Sequence, residues 1–110
     1  MSLVASGPGV PVQEMLPQDA APVWQKTFLA WPAELPRRGV LVTRFGEQIP
    51  FSHFLASPQL LLLERTNPDS LGSRKILLPY QEVAAVKFTD VLKVKAFQPL
   101  GFQTPAKKQA

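Results

Sequence analysis

The rhythm of apolar positions changes once along this chain, from a helical period to a strand-like one. Trp24, Phe28, Trp31 and Leu35 stand at i, i+4, i+7 and i+11, the repeat of a single helical face. Pro22 suits a first helical turn, Asp19 lies near the N-cap position and Pro32 stops the helix. Residues 21–36 are therefore predicted as a short aromatic helix or arm. Its Trp24, Phe28 and Trp31 need burial, either across an open end of the domain that follows or in a partner's groove.

From residue 39 the pattern becomes one of short β segments. Gly39 to Phe45 is rich in Val, Leu and Thr, and Gly46-Glu47 marks a tight turn. Gln48 to Ala56 follows, with Ile49, Phe51 and Leu55 expected on one face, and Ser57-Pro58 breaks it. The leucine run within Gln59 to Thr66 predicts a central strand covered on both faces. Asn67 to Ser73 reads as a loop with an Asx-type turn. Arg74 to Leu78 is a fourth strand, Pro79 to Glu82 a sharp corner and Val83 to Phe88 a fifth strand. Five short strands in so few residues are too few for a sandwich and predict an all-β fold: a small, strongly bent five-stranded antiparallel barrel. After Asp90 the segment Val91 to Phe97 suits an extra edge strand or a short helix.

The same pattern divides the chain into a disordered leader at 1–20, the arm at 21–36, the barrel domain at 37–97 and a frayed basic tail at 98–110 that carries Pro105 and Lys107-Lys108. The longest apolar run, Leu60 to Leu63, is far short of the roughly 20 residues a membrane helix needs, and no membrane partner is expected. The leader lacks a basic start and a continuous apolar stretch, which argues against a secretory signal. With no cysteine anywhere, a cytoplasmic location is the expectation.

Three stretches, Val40 to Gly46, Leu60 to Leu63 and Ile76 to Val86, resemble the Sm-like family of small barrels and, more broadly, SH3-type barrels. Val40-Leu41-Val42-Thr43-Arg44-Phe45-Gly46 is similar to the family's first strand and turn glycine, and Leu60 to Leu63 to its apolar third strand. Ile76 to Val86 resembles its apolar strand, short corner and following strand. The likeness covers residues 38–89. It implies a barrel and assembly into rings. The family's second glycine in the bent strand is replaced by Pro50-Phe51, and its cationic corner reads Pro79-Tyr80-Gln81 here. The resemblance therefore does not extend to the family's uridine pocket.

Charge and titratable groups narrow the chemistry. The net charge is +4, from 12 basic and 8 acidic residues, and the excess lies after residue 36. His53 is the single histidine and has no acid or nucleophile at local spacing. No catalysis, cofactor, metal site or small-molecule substrate is expected. Glu64 and Arg65 are strand neighbours and point to opposite faces. Two binding expectations remain. The first is self-association or docking of another protein at the sheet edges, through Ile76, Leu77, Leu78, Val83, Val86 and Phe88. The second is single-stranded RNA, with Tyr80 stacking on a base and Arg44, Arg65, Arg74 and Lys75 on phosphates.

Overall fold

The computed structural model describes residues 20–103. The leader up to Asp19, the N-cap expected there and the tail's Pro105 and Lys107-Lys108 lie outside the described residues. Helix α1 spans Ala21–Leu29, with Pro22 in its first turn and Ala20 at the N-cap with no capping side chain. It ends three residues before Pro32, whose demand for extended backbone at Trp31 forbids continuation. The strands are β1 Gly39–Thr43, β2 Gln48–Ala56, β3 Leu60–Arg65, β4 Lys75–Pro79 and β5 Val83–Lys87. A 3-10 turn, Tyr80–Glu82, joins β4 to β5. The segment after Asp90 ends in a 3-10 helix, Val94–Leu100, and forms no edge strand.

The five strands make one antiparallel sheet in the order β4-β3-β2-β1-β5. The strands at its two edges are consecutive in the chain. Laid flat, they would stand about 19 Å apart. The 3-10 turn between them covers only about 8 Å, so the sheet curls strongly. It does not close: no ladder joins β4 to β5 among the described residues.

Each turn has a local cause. Gly46 takes φ 87°, and Thr43 N–H donates to the Glu47 carbonyl at 2.9 Å, so the β1–β2 turn begins at Arg44 and draws Phe45 out of the strand. Ser57 Oγ accepts the Leu60 amide at 2.9 Å, which tightens the β2–β3 turn. Asp69 Oδ1 accepts the amides of Leu71 and Ser73 at 2.9 and 2.8 Å, the expected Asx-type turn. These amides, that of Ser73 foremost, hold the Asp69 carboxyl below the usual carboxylate range.

Inside the curl lie Leu41, Ile49, Phe51, Phe54, Leu61, Leu63, Tyr80 and Val83, with Phe28 from α1. Phe28 is fully buried, edge-on to Phe54 at 5.0 Å and stacked on Trp31 at 5.2 Å. The aromatic arm thus packs over its own sheet and the β4–β5 corner.

Two expectations about faces are corrected. A bulge falls between Phe51 and His53 in the β2–β3 ladder. It reverses the alternation, so Phe54 is buried and Leu55 is 57% exposed, instead of following Ile49 and Phe51 inward. Strand β3 is not covered on both faces. Leu61 and Leu63 are buried, Leu62 is half-buried and Leu60 is exposed, because none of the described elements packs on the outer side.

Candidate interaction surface

The two free edges are the first element of the surface. Arg65 N–H donates to the Arg74 carbonyl at 2.7 Å. Antiparallel alternation then makes Leu63–Ile76 and Leu61–Leu78 the hydrogen-bonded pairs. Leu77 therefore turns its N–H and C=O away from β3, along the open edge. On the other side, the Thr43–Glu47 bond commits the odd residues of β1 to β2, so Val40 and Val42 bond with Lys87 and Ala85. Val86 is left with its backbone groups on the open edge of β5. Both edge strands are five residues long.

The side chains at these edges are apolar. Ile76 and Leu78 are half-buried and Leu77 is 63% exposed; Val86 is half-buried and Val83 is buried in the core. Phe88, just past β5, lies between Trp31 at 5.9 Å and Phe97 at 5.4 Å. It anchors the tail to the arm instead of standing on the open edge. Arg38 and Asp90 brace the same region with a bidentate pair, 2.7 and 3.1 Å. The guanidinium beside it holds the Asp90 carboxyl below the usual carboxylate range.

The residues expected to bind RNA divide. Arg65, Arg74 and Lys75 share the corner where β3 runs into the β3–β4 loop, with Arg65 Nε bonded to the Asn67 carbonyl at 2.9 Å. Arg44 stands elsewhere. Arg65 lies opposite Phe51, which faces Gly39 at the start of β1, and Arg44 lies past that strand's end. Tyr80 is only 4% exposed and packs on Phe28, and its hydroxyl donates to the Ser57 and Leu60 carbonyls at 2.5 and 3.3 Å. Its ring is enclosed, so it offers no face to a base; it ties the β4–β5 corner to the β2–β3 turn. Burial pushes its phenol pKa above 10.0. Trp24 and Trp31, half-buried beside Phe28, are occupied by the chain's own core.

The outer side of the sheet is not legible in the residue pattern. The ladder sets Leu55 beside Leu62 and Leu62 beside Leu77, a row of leucines across β2, β3 and β4. Leu60 and Pro79 flank it on one side. On the other, His53, Glu64 and Lys75 form a parallel polar row. The signal that would have found the leucine row is the bulge, and residue types alone do not announce it. Phe45, which the residue pattern assigns to the first strand, stands exposed in the β1–β2 turn.

Among the described residues no helix is long and apolar enough to cross a membrane. Comparison with protein-family models, with curated proteins and with solved structures gives no match.

Proposed function

We propose that this chain is a non-catalytic assembly module that joins its open sheet edges to those of another copy or to an extended segment of a partner protein. One observation carries the reading: among the described residues β4 and β5 are both unpaired on their outer sides, and they are equal in length and apolar at Leu77 and Val86. Backbone donors and acceptors on such an edge bond to water alone or to an added strand, and apolar side chains beside them favour the strand. One copy's β4 meeting the next copy's β5 is a head-to-tail contact, which closes into a ring when the rotation allows. The strong curl and the leading helix support the finer reading of an Sm- or SH3-like barrel; a cytoplasmic setting is proposed alongside it.

Lysine at position 77 is the direct test. Leu77→Lys places a charge on the open edge of β4 without touching the core. The wild-type protein is expected to scatter light as an oligomer or partner complex, and the variant as a monomer with an unchanged circular dichroism spectrum. A wild-type protein that stays monomeric at high concentration and leaves added strands unbound overturns the reading.

A second reading, phosphate binding of single-stranded RNA, draws on the corner shared by Arg65, Arg74 and Lys75. Charge reversal at Arg74 and Lys75 then abolishes RNA binding and flattens its dependence on salt. Binding that ignores salt, or its absence from the wild type, removes it.

A further inference from the structure

We infer that the open edge of β4 takes the β4 of a second copy, paired antiparallel about a two-fold axis at Leu77. This contact is one form of the edge assembly proposed above and rests on it. The outward backbone groups of β4 belong to Lys75, Leu77 and Pro79, since Ile76 and Leu78 bond to β3. Pro79 offers a carbonyl but no N–H. A lysine and a proline on an edge strand deter most added strands, so the occupant must accommodate both.

The strand's own sequence does so in one register. β4 runs from Lys75 to Pro79 with Leu77 at its centre. A dyad at Leu77 therefore pairs the strand over its full length. Leu77 exchanges both backbone bonds with Leu77 of the other copy, and the Lys75 amide donates to the Pro79 carbonyl opposite. The missing proline donor falls at the end of the ladder, where water reaches the Lys75 carbonyl. The two lysines stand about 14 Å apart along the strands. A dyad at Ile76 would bring them to about 7 Å on one face. A dyad at Leu78 would set Pro79 opposite Leu77 and leave the Leu77 carbonyl without a donor.

The faces of the sheet disfavour β5 as the antiparallel partner. Leu77 is 63% exposed on the outer face, whereas Val86 lies opposite buried Leu41 and packs on the core. Residues opposed in an antiparallel ladder share a face, so joining Leu77 to Val86 would turn one sheet over. The β4 dyad keeps both outer faces on one side and sets leucine against leucine across the junction.

The chain contains no cysteine, so introduced thiols report the contact. Residues of a hydrogen-bonded antiparallel pair stand about 5.5 Å apart at Cα, within reach of a disulfide. Leu77→Cys is expected to oxidise to a covalent dimer in dilute solution, well ahead of Leu55→Cys, whose 57% exposed position lies on a strand paired on both sides. Leu77→Cys is then mixed with Val86→Cys or with Ala85→Cys, the residues that would meet Leu77 in an antiparallel or a parallel head-to-tail join. No mixed disulfide is expected. A mixed disulfide overturns the two-fold contact and leaves edge assembly standing. Leu77→Cys that dimerises no faster than Leu55→Cys also overturns it; wild-type sedimentation as an oligomer would then spare the assembly reading, and sedimentation as a monomer that leaves added strands unbound would remove both.

Discussion

Tyr80 is held by its ring and its hydroxyl at once, at the corner that joins β4 to β5. The sequence places it at the corner between two strands, next to a proline, where a family likeness suggests a base-stacking ring. The structure turns it inward, because the helix supplies Phe28 as a packing partner and the β2–β3 turn supplies two carbonyls for its hydroxyl. It is the chain's one tyrosine, so its phenolate absorbance reports this site alone. Its folded pKa lies above its unfolded value of 10.0, so the folded state holds the proton more tightly. The stabilisation is complete below pH 10.0 and is lost as pH rises through the folded pKa. Spectroscopic titration should show phenolate appearing above pH 10.0 together with loss of near-ultraviolet dichroism. Tyr80→Phe should abolish the absorbance change and destabilise the fold by about 1 kcal/mol. A phenol titrating at 10.0 in the folded protein would contradict its enclosure.

At the scale of elements, most of the strand pattern is legible, because each of the first four strands has a turn former at or after its end: Gly46, Ser57-Pro58, Asp69 and Pro79. β2 runs from Gln48 to Ala56, the boundaries its residues predict. What alternation cannot reveal is the bulge that inverts the second half of that strand, since it depends on pairing with β3 and leaves no composition signal. The outer leucine row is invisible for the same reason. Register also explains Gly39, which looks like an ordinary strand start. A Cβ there would sit 2.3 Å from the Lys87 carbonyl oxygen, on backbone that cannot swing aside. Gly39→Ala is expected to push β5 away from β1 and cost about 1–3 kcal/mol in denaturant unfolding. Amide exchange should localise the damage to Ala85 and Lys87; an unaffected β5 would mean the strands have more room than the backbone shows.

Across the whole molecule, helix and sheet share one core. Trp24 and Trp31 flank Phe28, and Phe28 reaches Phe54 and Tyr80. Tryptophan fluorescence therefore senses the arm, and far-ultraviolet dichroism is dominated by the sheet, yet both should report one transition with a common midpoint in denaturant. An earlier fluorescence midpoint would show the arm lifting off a sheet that survives without it. The overall strand order was readable only in part, because the pairing of β5 with β1 is a long-range contact that no local pattern contains. That pairing has a further geometric result. The short corner from Pro79 to Val83 bridges the seam between the outermost strands, and one phenol pins that corner to the opposite hairpin. The wedge angle between the two rims is thus set by a handful of atoms. Should copies join rim to rim, that angle determines how many of them complete a circle.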